Sequence, residues 1–169
     1  ALWWLQLLSL ALLCKALLAA PRRRDGALLG WLFGTSWLVG TFGWLFTSMH
    51  TYGGLAAPLA AAGVLALALF LALYYAAVCA LFKHFSFTHR AVNALVFAAC
   101  WLLAELARGV LWTGFPWGAS GYAHISGLLF PLARWVGVYG IGAAAAGLAM
   151  LLAQVRRSDL RDPKIWAMC

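Results

Sequence analysis

The side chains that could do chemistry gather between positions 105 and 122, in the stretch ELARGVLWTGFPWGASGY. Glu105 is a carboxylate in an otherwise apolar run, and the guanidinium of Arg108 follows three residues later. Side chains at i and i+3 lie on one face of a helix, where opposite charges can pair. Trp101 and Trp112 are predicted to share that face, so we expect a polar spot flanked by two aromatic rings.

The Glu105/Arg108 pair has two interpretations that the sequence leaves open. It could hold a lipid phosphate or steady a neighbouring domain, or it could be a structural ion pair that fixes two helices to each other. A charge at the centre of a bilayer costs roughly 2.5–3.5 kcal/mol on insertion scales. Two charges in one apolar helix therefore call for a partner or a function.

The segment after the pair leaves helical character at Thr113–Trp117. Pro116 lacks a backbone N–H and disfavours helix in the residue before it. Tryptophan and tyrosine rings suit the boundary between membrane and water. The sequence predicts an interfacial turn beside the pair, and its candidate substrate-binding or lipid-binding residues are Gly114, Phe115, Pro116, Trp117 and Tyr122.

A second uncharged segment, WLFTSMHTYGG at positions 44–54, contains Trp44 and His50. His50 could bind a lipid head group or act as a base, or it could be a polar residue at the membrane boundary. Arg134 also has two possible interpretations. It could hold a phosphate together with Arg108, or its long side chain could simply reach the interface.

The elements that must position these residues are membrane helices. Hydrophobic residues make up 66% of the 169 residues and charged residues 9%, whereas a soluble domain has about 25% charged residues. We predict an all-α polytopic membrane protein, a single transmembrane domain over residues 1–169 with a bundle of about five helices. The expected spans are about 1–20, 27–49, 55–82, 91–112 and 127–155. In the second span, Gly30 and Gly34 form a GxxxG motif, which is typical of close helix packing.

The basic residues define an orientation. Most of them lie in the short loops 21–26 and 83–90 and in the tail 156–169, which the positive-inside rule places in the cytoplasm. The uncharged loops 50–54 and 113–126 then face the periplasm, as does the N-terminus, so we expect a further helix before Ala1. Most of the net charge of +8 lies in these loops and the tail, and no nucleic acid is expected as a partner.

The cysteines do not suggest a catalytic or metal site. Cys14, Cys79 and Cys100 lie in apolar spans and are expected to be small buried side chains. Cys169 is terminal, with nothing nearby in sequence to activate it as a nucleophile. We predict no catalytic residue, no metal site and no cofactor in this chain.

Two stretches resemble signatures of the bacterial apolipoprotein N-acyltransferase family. They are Trp44–Gly54 and Glu105–Trp117 with Gly121-Tyr122-Ala123 after it, and the resemblance extends from about Leu5 to Arg157. It implies transfer of an acyl chain from a phospholipid to the α-amino group of the lipidated N-terminal cysteine of a lipoprotein. It also implies a multi-pass protein of the bacterial inner membrane that acts in lipoprotein maturation at the periplasmic face.

In this family, catalysis belongs to a nitrilase-like domain whose Glu-Lys-Cys triad carries the acyl group as a thioester. That domain follows a further span, and neither Glu105 nor Cys169 has the sequence context of the triad. The resemblance therefore implies a membrane part, inactive alone, that forms a lipid-facing site and supports the catalytic domain. The expected partners are a phospholipid acyl donor and a lipidated apolipoprotein, and a monomer is expected.

Two other classes of function remain open. The chain could be a non-catalytic membrane scaffold or lipid-binding protein, as a homologue that has lost catalysis would be. It could also be half of a small transporter, although transporters usually show an internal repeat or broken helices at the midplane, and the sequence shows no repeat.

Overall fold

A computed structural model describes residues 2–85 and 87–155, and every regular element within them is helical. The α-helices are α1 (Trp3–Ala19), α2 (Arg23–Thr41), α3 (Gly43–Thr47), α4 (Ala57–His84), α5 (Arg90–Val110) and α6 (Ala133–Ala153). A π-helical turn covers Ser48–Tyr52, and 3-10 turns cover Leu111–Thr113, Ser120–His124 and Phe130–Leu132. The predicted all-α class is confirmed.

The lengths and hydropathies of the helices fit a membrane bundle. Among the described residues, three helices are long and apolar enough to cross a bilayer: α4, α5 and the helix over Phe130–Ala153. The bent pair Arg23–Thr41 and Gly43–Tyr52, whose axes differ by 51°, makes a fourth span if it is counted as one. α1 is apolar but shorter, with 17 residues, so the predicted span over residues 1–20 stays a prediction.

Two helix ends differ from the predicted loops for identifiable reasons. Residues 23–26, predicted as part of a basic loop, form the first turn of α2. The carboxylate of Asp25 accepts the backbone N–H of Arg22 at 3.1 Å, which satisfies a donor at the helix start and places a negative charge at the positive end of the helix dipole. α5 ends at Val110 rather than at residue 112.

Small residues allow α2 and α4 to pack with their backbones close together, as the GxxxG motif predicted. Gly26, Gly30 and Gly34 are all buried. A Cβ atom at Gly30 would lie 2.5 Å from the carbonyl oxygen of Tyr75 and 2.7 Å from Sγ of Cys79. No side chain larger than hydrogen fits at this contact, so Gly30 sets the distance between the two helices.

An aromatic cluster fills the core between these helices and α5. The ring of Trp101 lies 4.9 Å from that of Tyr75 and 5.9 Å from that of Phe97. Phe97 in turn contacts Phe82 at 5.2 Å. The next turn of α5, which carries Glu105 and Arg108, follows directly after these rings.

Candidate functional site

The charged residues of α5 are fully enclosed by the protein. Glu105 and Arg108 both have a relative exposure of 0%, and Trp101 on the same face has 1%. The predicted shared face holds for these three residues but not for Trp112, which was wrongly placed on it. The helix ends at Val110, Trp112 adopts a left-handed backbone with φ 55°, and its side chain is 81% exposed.

Glu105 holds the segment that returns from the turn. Its Oε1 accepts the backbone N–H of Ser120 at 2.7 Å in a buried hydrogen bond. The indole Nε1 of Trp101 donates to Oγ of the same serine at 3.0 Å. Two residues of α5, one turn apart, therefore bind both the backbone and the side chain of Ser120.

Arg108 holds the middle of the turn. Its Nη1 donates to the carbonyl oxygens of Phe115 and Trp117, each at 2.6 Å. The backbone N–H of Phe115 donates back to the carbonyl of Arg108 at 2.8 Å. A permanently charged donor thus satisfies two carbonyl groups of a non-helical segment, which would otherwise be left without partners in a water-poor region.

The hydrogen bonds of Glu105 and Arg108 are thus made to the 115–120 segment and not to each other. We call Glu105, Arg108, Trp101, Tyr75 and Ser120 the buried layer. Its other polar atoms are Oε2 of Glu105, Nε and Nη2 of Arg108 and the hydroxyl of Tyr75. All four are buried and make no hydrogen bond to any described residue. The layer fixes a loop to a helix. Direct contact of either charge with a lipid phosphate would require this layer to open.

Two glycines allow the turn to follow this path. Gly114 has φ 74°, and a Cβ atom there would lie 2.1 Å from the carbonyl oxygen of Gly109. Gly118 has φ 78°, and a Cβ atom there would lie 2.7 Å from Cγ2 of Thr41. Both positions have backbone angles that L-residues rarely adopt. The chain therefore reverses at Gly114 and passes close to the end of α2 at Gly118.

Above the buried layer, the turn and the end of α2 enclose a cleft of about 390 Å³. Its lining is Thr41, Trp44, Pro116, Trp117, Gly118 and Tyr122. We call it the outer cleft. The rings of Trp44 and Trp117 lie 6.3 Å apart, although 73 positions separate them in sequence. The indole Nε1 of Trp37 donates to the carbonyl of Gly118 at 3.2 Å and ties the turn to α2.

The outer cleft unites four of the residues that the sequence singled out: Trp44, Pro116, Trp117 and Tyr122. Gly114 and Phe115 instead line a smaller cleft of about 170 Å³ against α4. Phe115 also supports the outer cleft from below, since its ring lies 5.2 Å from that of Trp117 and 5.1 Å from that of Phe42.

His50 occupies a different position. It is exposed in the π-helical turn, and its Nδ1 bonds to the carbonyl of Leu55 at 2.8 Å. A carbonyl only accepts, so Nδ1 carries the proton and Nε2 is the acceptor in the neutral ring. His50 is not among the described residues that line the outer cleft.

The other ionisable residues on this side have contrasting surroundings. Arg134 is exposed, with its guanidinium 5.2 Å from the ring centre of Trp135, whereas Arg108 is buried. Their joint binding of a phosphate stays a prediction. His124 is fully buried, and its Nε2 bonds to Oε1 of Gln6 in α1 at 2.9 Å. Burial lowers the pKa of His124.

Sequence reasoning missed several residues of this region. Ser120 was missed because a backbone N–H carries no side-chain signal, and Thr41 and Gly118 because nothing in the sequence joins the end of α2 to the turn. Gly142 was also missed. A Cβ atom there would lie 2.5 Å from Oγ of Ser120 and 2.8 Å from Oε2 of Glu105. The sequence signal for Gly142 is the run GIGAAAAG at 140–147, which is typical of a closely packed helix.

Comparison with known proteins gives a consistent result. Residues 1–151 match the family model described as "Apolipoprotein N-acyltransferase N-terminal domain". A protein of Verminephrobacter eiseniae named apolipoprotein N-acyltransferase is 60% identical over 171 residues, covering 99% of this chain and 32% of that protein. Proteins of the same name from Ralstonia nicotianae and Azotobacter vinelandii are 48% and 41% identical, over 89% and 97% of this chain and 29% and 32% of theirs. The chain thus spans about a third of the length of the curated relatives it matches.

Proposed function

The chain belongs to the apolipoprotein N-acyltransferase family, and we propose that it forms the membrane part of an enzyme that acylates lipoproteins. The reaction would move an acyl chain from a phospholipid to the α-amino group of a lipidated N-terminal cysteine. An ester C–O bond of the phospholipid breaks, an amide C–N bond forms, and the lysophospholipid leaves with the proton of the amine.

One observation carries the proposal for this part of the protein. The two stretches that resemble family signatures, 44–54 and 105–122, meet in the outer cleft through Trp44 and Trp117. Its described lining combines aromatic rings with the Thr41 hydroxyl and the Tyr122 phenol and contains no fixed charge. Such a surface suits the ester region of a phospholipid, where acyl chains meet the polar head group.

The buried layer gives this cleft its shape. Arg108 holds the carbonyls of Phe115 and Trp117, so the backbone on both sides of Pro116, which lines the cleft, is fixed from beneath. Glu105 fixes the end of the same segment through Ser120. In this proposal Glu105 and Arg108 are positioning residues, while Trp44, Pro116, Trp117 and Tyr122 contact the lipid. Gly114 and Phe115 lie beside this cleft, and His50 would contact lipid outside it, from the exposed π-helical turn.

We further propose the orientation that the charges indicate. The basic loops and tail face the cytoplasm, and the outer cleft faces the periplasm of a bacterial inner membrane. The Glu-Lys-Cys chemistry that the family resemblance implies would then operate above the cleft, on the same side. The chain would act as a monomer, with the phospholipid and the apolipoprotein as its partners.

The test uses the full-length protein that the gene encodes, purified in phospholipid nanodiscs and supplied with a lipidated model peptide. Acyl transfer is measured per folded molecule for wild type, Arg108→Ala and Arg108→Lys. Arg24→Ala is the matched control, because Arg24 is exposed near the start of α2. We expect Arg108→Ala to lower turnover well beyond its loss of folded protein, and Arg108→Lys to recover part of it.

Unchanged turnover per folded Arg108→Ala molecule would contradict the role of the buried layer. If the full-length wild type binds phospholipid but transfers no acyl group to the peptide, the non-catalytic lipid-binding function replaces the proposed one. The two results separate the role of Arg108 from the activity of the whole protein.

A further inference from the structure

A narrow cleft, separate from the outer cleft, lies between α4 and the turn that follows α5. It has a volume of about 170 Å³, which is below the range of about 300–1,000 Å³ typical of sites that enclose a whole small molecule. α4 forms one wall with Leu67, Phe70, Leu71 and Tyr74. The turn forms the other wall with Leu111, Trp112, Gly114 and Phe115. We call it the inner cleft, and its size suits one part of a larger ligand.

The inner cleft is elongated along α4. Its four residues on this helix follow the spacing i, i+3, i+4 and i+7, so they lie on one helix face. Tyr74 lies seven positions after Leu67, which corresponds to about 10 Å along the helix axis. α4 is one of the helices that are long and apolar enough to cross a bilayer. The cleft therefore follows the direction in which acyl chains extend in a membrane.

The side chains of the inner cleft favour a hydrocarbon ligand. The described lining contains no charged side chain, and apart from the phenol of Tyr74 its side chains are apolar. A peptide or a lipid head group would bury hydrogen-bonding groups against these carbon surfaces, which is unfavourable when they lack partners. An acyl chain carries no such groups, so the lining selects a chain over a head group.

One pair of aromatic rings separates the inner cleft from the outer cleft. Phe115 lines the inner cleft and Trp117 lines the outer cleft, and their ring centres lie 5.2 Å apart. The backbone N–H and the carbonyl of Phe115 are both bonded to Arg108. This partition is therefore in place before a ligand binds, which lowers the cost of binding. Two chains that diverge from one glycerol can lie on its two sides.

The backbone of Trp112 gives independent support for a ligand in the inner cleft. Its φ is 55°, in the left-handed region that bulky residues rarely adopt. Packing within the described part of the chain does not compensate for this strain, since the side chain is 81% exposed although it lines the cleft. The left-handed turn places a large ring at the rim of the cleft and leaves most of its surface open. Strain that persists without burial points to a function.

We propose that the inner cleft holds one acyl chain of the phospholipid whose ester region lies in the outer cleft. This inference rests on the proposed function for the place of the ester, and it assigns the surface that recognises the hydrocarbon of the donor. The chain follows the face of α4 from Leu67 towards Tyr74, and the ring of Trp112 covers it from the side. The second chain stays on the other side of Phe115.

The first test is native mass spectrometry of the full-length protein titrated with dioleoyl phosphatidylglycerol. Leu67 is half-buried in the wall of the inner cleft, and Leu67→Trp fills the space beside it. We expect binding to weaken about fourfold for each methylene group that this variant excludes. Leu73→Trp is the matched control, because Leu73 lies on the same helix, is 53% exposed and is outside the described lining. Equal binding by the two variants would overturn the proposal.

A second variant separates lipid binding from stability. Trp112→Gly relieves the left-handed backbone, so the unfolding temperature in detergent should stay level or rise. Loss of the ring should nevertheless weaken phosphatidylglycerol binding about two- to tenfold. A tryptophan with a purely structural role would lower the unfolding temperature when it is replaced. A stable Trp112→Gly protein that binds the lipid like wild type contradicts the proposal.

The place of the chain is tested in nanodiscs with a phosphatidylglycerol that carries a diazirine in one acyl chain. We expect photolabelled peptides from residues 67–74 and 111–115, and loss of this label in Leu67→Trp. Equal labelling at Leu28 and Leu95, which are exposed on other helices, would overturn the proposal, because the contact would then be general.

These binding readouts need no turnover, so they separate this inference from the proposed function. Labelling of the inner cleft in a full-length protein that transfers no acyl group supports the chain site and contradicts the proposed function. Wild-type lipid binding and wild-type acyl transfer by Leu67→Trp would instead remove the chain site and leave the proposed function standing.

Discussion

The carboxylate of Glu105 accepts the backbone N–H of Ser120 at 2.7 Å, across 15 positions of sequence. The bond closes a loop around Arg108, whose guanidinium then binds two carbonyls inside that loop. A helix end and a non-helical turn are thus joined by charged side chains in a region with little water. The outer cleft has its shape because this loop is closed.

Replacing Glu105 separates its roles as hydrogen-bond acceptor and as charge. Glu105→Ala removes the acceptor for Ser120 and leaves Arg108 without a nearby negative charge, so we expect a loss of about 2–3 kcal/mol in the free energy of unfolding. Glu105→Gln keeps an acceptor oxygen and should lose less. Thermal unfolding in detergent, followed by tryptophan fluorescence, measures both. Equal losses for the two variants would mean that the charge, and not the bond to Ser120, stabilises the loop.

A substitution at Gly142 tests how closely α6 packs against Ser120 and Glu105. An added methyl group would lie 2.5 Å from Oγ of Ser120 and 2.8 Å from Oε2 of Glu105, so Gly142→Ala should destabilise the protein by about 1–3 kcal/mol through overpacking. Gly40 on α2 is the control, since a Cβ atom there meets nothing within 4 Å. We expect Gly40→Ala to be neutral or slightly stabilising, because alanine favours helix over glycine. Equal unfolding temperatures for the two variants would contradict the tight contact at Gly142.

Trp117 tests the outer cleft in the full-length protein. Its ring contacts those of Trp44 and Phe115 and lines the cleft. If it holds the acyl donor, Trp117→Ala should lower acyl transfer about two- to tenfold, the value of one lost aromatic contact. Trp4 is the control, because it is 50% exposed in α1 and outside the described lining of the cleft. A similar loss for Trp4→Ala would point to a general effect on membrane anchoring.

The burial of His124 should make the stability of the protein depend on pH. Its pKa is lowered by burial from the ordinary value of 6.5, so below that value the unfolded chain binds a proton that the folded chain resists. The neutral, buried His124 therefore costs no stability above about pH 6.5, and the free energy of unfolding falls as the pH decreases below that value. We expect the unfolding temperature of wild type to drop between pH 8 and pH 5, and that of His124→Gln to drop less. An identical drop in both proteins would show that other groups cause it.

The sequence predicted the helical class and the location of the charged layer for simple physical reasons. Composition identifies a membrane bundle, and the helical period places Trp101, Glu105 and Arg108 on one face. It could not predict the partners of the charges, because those partners are the backbone groups of Phe115, Trp117 and Ser120. Backbone groups look alike at every position, and only the folded path shows which of them are close.

The errors also have physical causes. Trp112 was expected on the buried face because the helical period was extended past Val110, whereas a left-handed backbone angle turns the residue outward. The break between α2 and α3 lies at Phe42, between Gly40 and Gly43. Each glycine weakens a helix, but neither one alone identifies a bend in a run of apolar residues. The meeting of Trp44 with Trp117 depends on that bend.

The bend at Phe42 also determines how the protein fits bilayers of different thickness. α2 has 19 residues, about 28 Å of helix, which is close to the hydrocarbon thickness of an ordinary bilayer. Because the axis turns by 51° after α2, the following ten residues, about 15 Å of helix, advance only about 9 Å along the α2 axis. A change in this one angle would match the span to a thinner or thicker bilayer without tilting the whole bundle. Hydrophobic mismatch would thus act first on the wall that carries Trp44.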